Sequence, residues 1–141
     1  MMKWLSFPLA VRLLSILLGL LLLFHLILLI GMIGFDYTPD FIWGGKVTKK
    51  SQLIPMEIFG LVVTAFCLVL VRVRAAPRVK QMFRLPVRLG LWLFAAYFVL
   101  NTVGNLLAAR SFERYLALLT VVLAFLFLRL ALEKWPIPAD H

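Results

Sequence analysis

The chain has 141 residues, 64% of them hydrophobic and only 15% charged, against roughly 25% charged in an average soluble domain. With a mean hydropathy of +1.03, this composition excludes a soluble globular protein. Apolar stretches long enough to cross a bilayer fill more than half of the sequence, so a single transmembrane domain over residues 1–141 is expected. Fifteen Lys and Arg against six Asp and Glu give +9; in a membrane protein such an excess serves orientation and lipid headgroups, and without a nucleic-acid motif no nucleic acid is expected as partner.

Leu13 to Phe35 is a run of 23 residues without a charge, about 34 Å of helix for a hydrocarbon core of about 30 Å. A first helix is predicted over about 9–35. It is longer than a secretory signal's apolar region and lacks a small-x-small cleavage site, so it is expected to remain attached. A second helix is predicted over about 54–72, with Pro55 and Glu57 in its first turn, where a proline loses no intrahelical bond and a carboxylate is favoured by the dipole. The third and fourth are predicted over about 87–109 and 113–133, the fourth interrupted only by Arg129. A small-residue seam, Ala117, Thr120, Ala124 and Ala131, reads as close packing, and Arg129 can pair with Glu133 at i+4.

These spans make an all-α, antiparallel four-helix integral membrane bundle. Ten Lys and Arg fall on the side of both termini and five on the other, which places the termini and the loop 72–88 in the cytoplasm. That loop carries Arg72, Arg74, Arg78, Lys80, Arg84 and Arg88, the expected contacts for anionic lipid headgroups, with Pro77 and Pro86 breaking any long helix. The outer loop, 36–52, is rich in aromatic residues. It reads as an interfacial anchor or as a lid folded back over the bundle, with Gly44 and Gly45 after Trp43 permitting a turn of positive φ. The tail from Trp135, with Pro136 and Pro138, should leave the bilayer as an irregular end.

In hydrocarbon a polar side chain calls for a partner, a water-filled cavity or a task. His25 lies near the middle of the first helix and is expected to make one interhelical hydrogen bond. Tyr97, Asn101, Gly104, Asn105 and Ala108 share one face of the third helix, expected to point into the bundle; stacked asparagines offer more donors and acceptors than one neighbouring helix satisfies. Glu57, Gly60 and Thr64 share a face of the second helix. His25, Trp43, Glu57, Thr64, Tyr97, Asn101 and Asn105 are therefore the candidate ligand-binding residues, in the outer half. Around the outer turn, Ser111 can cap the fourth helix, while Glu113 complements its dipole or pairs with Lys46 or Arg110. The lone Cys67 excludes an intramolecular disulfide and, with two histidines, is too sparse for a structural zinc site; no cofactor motif is present.

Phe24-His25-Leu, Gly31, Trp43-Gly-Gly-Lys46, Glu57, Asn101-Thr-Val-Gly-Asn105, Glu113-Arg114 and Arg129 to Lys134 resemble, in order along all four helices, a family of small uncharacterised bacterial membrane proteins. The Trp-Gly-Gly-Lys/Arg turn and the Asn-Thr-x-Gly-Asn segment are the specific pieces. The resemblance implies the bacterial cytoplasmic membrane and raises the outer-half group as a site; it carries no activity. The chain departs in a longer loop ahead of Trp43 and in its basic middle loop.

Three functions follow from these residues. The first is binding or transport of a small amphipathic or lipid-like ligand, or of protons, through the outer polar site, with Ser15 and Gly19 as a homodimer face. The second is a non-catalytic interaction protein, either an accessory subunit of a membrane complex or a toxin-immunity protein. The third is a lipid- or quinone-modifying enzyme using Glu57 or His25; with no nucleophile beside a base and no paired carboxylates in one helix, binding is expected over catalysis.

Overall fold

The computed structural model describes residues 5–43, 47, 49–77, 79–108 and 111–135. Gly44, Gly45, Lys46, Arg78, Arg110, Pro136 and Pro138, on which several expectations fell, lie outside them. The fold is all-α: α1 is Phe7–Gly34, α2 Lys50–Ala75, α3 Gln81–Leu106 and α4 Ser111–Leu132. All four are long and apolar enough to cross a membrane. Only 22% of the most apolar part of α1 is buried, and Ile16, Leu20, Leu23, Ile27, Ile30 and Ile33 stand outward, the pattern of a surface whose solvent is hydrocarbon.

α2 and α3 begin four and six residues ahead of the expected starts at 54 and 87. Both carry a proline at the sixth helical position, Pro55 and Pro86, so neither proline starts or breaks its helix. The hydrogen bonds they forgo would have reached the carbonyls of Ser51 and Met82, which lie in exposed first turns where water or headgroups replace them. The basic segment therefore shortens to the five residues between α2 and α3. Ala76, extended at φ −65° and ψ 137°, ends α2 because Pro77 follows it.

α3 and α4 pack most extensively, followed by α1 and α2. Phe98 stacks on Phe127 at 5.5 Å between ring centroids. The Thr102 and Thr120 hydroxyls meet at 2.9 Å, each also within reach of a carbonyl of its own helix. Gly90 is a true close approach, since a Cβ there would lie 3.1 Å from a Leu70 methyl. Gly19 and Gly104 have open space around them instead, so Gly104 does not seat a neighbouring helix as its face predicted.

Two apolar clusters divide the core. The larger joins Ala10, Leu14 and Leu18 of α1 to Cys67, Val71, Leu91, Phe98, Leu123 and Phe127. The smaller gathers Leu28, Leu29, Met32 and Leu53 with Ile42 of the loop. On α1 and α2 the polar residues His25, Glu57 and Thr64 fall in the sequence gap between the two.

At the end where Leu5 meets Arg129, two arginines close the bundle. Arg74 is 4% exposed; its Nη2 donates to the Glu133 carbonyl at 2.9 Å and its Nε reaches the Leu130 carbonyl at 3.4 Å. The guanidinium lies between the rings of Phe7, at 4.7 Å, and Trp135, at 4.1 Å. Arg129 donates from Nε to the Leu5 carbonyl at 3.0 Å and from Nη1 to Glu133 at 2.5 Å. The last carbonyls of α4 have no intrahelical donors, and Arg74 supplies them. Arg74 is thus withdrawn from the expected headgroup contacts, whereas Arg72, Lys80 and Arg88 remain exposed and Arg84 half-buried beside Trp135.

Replacing the fully buried Phe127 by Ala should cost about 3–5 kcal/mol through the cavity it leaves, read as a lowered unfolding midpoint in micelles by circular dichroism. The outward Phe125→Ala on the same helix should stay within about 0.5 kcal/mol.

Candidate functional site

Glu57 is the eighth residue of α2, about 10 Å in from its start and beyond the first turn where the helix dipole acts. The dipole therefore does not account for it. The side chain is 2% exposed, and a carboxylate withdrawn that far from water persists only with partners. It has two: His25 Nδ1 lies 2.6 Å from Oε2, and Trp43 Nε1 donates to Oε1 at 2.7 Å. Three separate parts of the chain, α1, the loop and α2, are tied at one side chain.

Local structure makes room for this contact. The His25 ring lies on the bare backbone of α2 at Gly60, where a Cβ would come within 2.6 Å of Cε1. Trp43 reaches Glu57 from a left-handed backbone at φ 54°, a conformation that costs a bulky residue about 1–3 kcal/mol and persists where the surroundings impose it. Those surroundings are the loop's own packing: Pro39 and Ile42 are buried, and Phe41 meets Phe112 edge-on at 4.9 Å. Asp36, also left-handed at φ 53°, turns the chain out of α1 so that Tyr37 N–H donates back to the Gly31 carbonyl. An ion pair between Asp36 and Lys50 joins the two ends of the loop. The loop therefore folds back over the bundle instead of lying apart as an anchor.

Beneath it lies a cavity of about 160 Å³. Its lining includes all seven candidate residues, His25, Trp43, Glu57, Thr64, Tyr97, Asn101 and Asn105. Two side chains outside that candidate group join them: Glu113, 7% exposed and read as a dipole or ion-pair partner, and Thr120, read as packing. Both lie on α4 seven residues apart, and that helical spacing of one acid and one hydroxyl was the signal available for finding them. Glu113 also has a partner; Lys46 and Arg110, its expected ones, lie outside the described residues.

The chemistry on offer is mixed. His25 Nδ1 and Glu57 Oε2 hold a proton between them, while Nε2 carries no hydrogen bond among the described residues and either donates or accepts according to whether it is protonated. Asn101 spends one amide hydrogen on the Tyr97 carbonyl at 3.0 Å, leaving the second hydrogen and the side-chain oxygen. Tyr97 and Thr64 add hydroxyls; Phe24, Phe59 and Phe98 close the walls. Room for about five waters, at about 30 Å³ each, is less than the roughly 300–1,000 Å³ of a drug-sized ligand pocket. Among the described residues no three His, Cys, Asp or Glu converge to hold a metal.

Compared with family models, with curated proteins and with solved structures, the chain has no match.

Gly60→Ala should overpack the His25 ring and destabilise the protein by about 1–3 kcal/mol, whereas Gly104→Ala, with open space around it, should be neutral or stabilising. Thermal midpoints of the two variants in one detergent check this.

Proposed function

We propose that the chain is a bacterial inner-membrane protein whose four helices cross the bilayer antiparallel to one another, with both termini and the basic segment cytoplasmic. In this reading it binds or transports a small amphipathic or lipid-like ligand, or protons, in the cavity under the Trp43 loop. The observation that carries the reading is the meeting of all seven polar candidates around a cavity whose carboxylate is held by His25 and Trp43. A bundle that needed only packing would fill this space with apolar side chains, because each buried polar group costs free energy until it is bonded. The likeness to small bacterial membrane proteins through the Trp43 turn and the Asn101 to Asn105 segment is part of the same proposal. So is contact of Arg72, Lys80 and Arg88 with anionic headgroups.

A binding role is favoured over a catalytic one by the bonding of Glu57: both of its oxygens are engaged. That leaves His25 Nε2 as the open group of the pair.

Native mass spectrometry of protein released gently from its own membranes should show a discrete retained mass, smaller than a two-chain phospholipid, that is absent from Glu57→Gln. A bare protein, or one carrying a stoichiometric polypeptide, would overturn the ligand reading. For orientation, Asp40→Cys should react with a membrane-impermeant maleimide on intact cells and Lys80→Cys should not, both in a Cys67→Ala background. The reverse pattern would invert the topology.

A further inference from the structure

The polar cavity has an apolar neighbour. A trough of about 210 Å³ lies between α1 and α4, lined wholly by leucine and phenylalanine from the middle of α1 and the first turns of α4. Four of its residues, Leu21, Phe24, Leu116 and Leu119, also line the polar cavity, so the two spaces adjoin across those side chains. Leu20, on the rim, is 59% exposed and stands among the outward apolar side chains of α1. The trough therefore opens sideways to whatever surrounds the bundle, which for these helices is hydrocarbon. Leu14 and Leu18 of α1 are fully buried in the larger cluster.

The dimensions and charges of the pair restrict what fits. About 160 Å³ under the loop admits a compact head and no second chain. Glu57 has its two donors and Glu113 is not without a partner, and among the described residues no Lys or Arg lines the cavity. What it presents is His25 Nε2, which donates or accepts, and the remaining amide hydrogen and oxygen of Asn101. A hydroxyl, itself donor and acceptor, matches that set in every protonation state of the histidine. A carboxylate or phosphate head would be buried beside Glu57 and Glu113 with no Lys or Arg facing it among the described residues.

We infer that the occupant is a single-chain amphiphile with an uncharged, hydroxyl-bearing head. The head sits between His25 and Asn101, and the chain leaves through the trough between α1 and α4. This rests on the ligand-binding reading above and specifies its ligand class. The same chemistry is found in a monoacylglycerol and in an isoprenoid quinol.

The test uses the full chain in vesicles of phosphatidylethanolamine and phosphatidylglycerol, with a monoacylglycerol bearing a photoreactive group in mid-chain. After illumination, label should concentrate on peptides spanning 17–24 and 112–119. It should fall about tenfold, the loss of roughly one hydrogen bond, in Glu57→Gln or Asn101→Ala, and comparably in Leu116→Trp, which fills the trough. Leu118→Trp, on the outward face of α4, should leave it unchanged. Displacement by unlabelled monoacylglycerol or by a short-chain quinol at the lower mole fraction identifies the source. Equal labelling by a fatty-acid probe with the same chain would overturn the uncharged head. Label that depends on Glu57 but falls on α2 and α3 would overturn the trough and leave the binding site standing. Label spread over all outward faces, indifferent to Glu57→Gln and Asn101→Ala in variants with wild-type helicity, would overturn both.

Discussion

A carboxylate in the interior of an apolar bundle is the constraint on which the outer half of this molecule depends. Glu57 can be tolerated there only with donors on its oxygens, and the nearest come from elsewhere in the chain: His25 on α1 and the indole of Trp43 in the loop. Satisfying it fixes the register of α1 against α2, requires glycine at position 60 beneath the imidazole, and holds Trp43 in a backbone conformation that a tryptophan avoids when free. The loop is drawn down with it. Pro39 is buried and Ile42 joins the smaller cluster, so the polar contact and the hydrophobic packing reinforce each other.

The opposite end shows what a purely structural polar cluster looks like in the same chain. Arg74 and Arg129 direct their guanidinium groups to the carbonyls of Leu130, Glu133 and Leu5 and to the Glu133 carboxylate, and aromatic rings cover both faces of Arg74. These bonds terminate helices and seal the bundle. Around Glu57 the arrangement differs: the carboxylate is satisfied, but an imidazole nitrogen, amides and hydroxyls line open space. That contrast between a filled cluster and a hollow one separates a packing role from a site.

Much of the outer group was legible in the residues because burial in hydrocarbon makes each polar side chain conspicuous. His25, Glu57, Asn101 and Asn105 stood out by depth and helical spacing alone, and a bond from His25 to another helix was anticipated. Glu113 and Thr120 were hidden by plausible local roles, a helix-terminal acid and a member of a small-residue seam. Arg74 was misread for a related reason: positive-inside counting registers a charge near a membrane face without saying which way its side chain turns. Pro55 and Pro86 misled the helix starts, because a proline near the beginning of a helix is tolerated where the carbonyl it leaves unpaired can find water or a headgroup.

Composition and periodicity are enough for the class of the molecule: four apolar helices, few charges, and a short list of polar side chains at similar depth. Both act locally along each helix. The meeting of Glu57 with His25 and Trp43, the loop's place over a cavity and the apolar trough beside that cavity between α1 and α4 emerge only in the folded chain. Those facts depend on how helices rotate about their axes and which faces they present to one another. In a chain this rich in leucine the apolar pattern leaves that rotation open, and a single buried carboxylate, through the two donors it requires, selects it for α1 and α2.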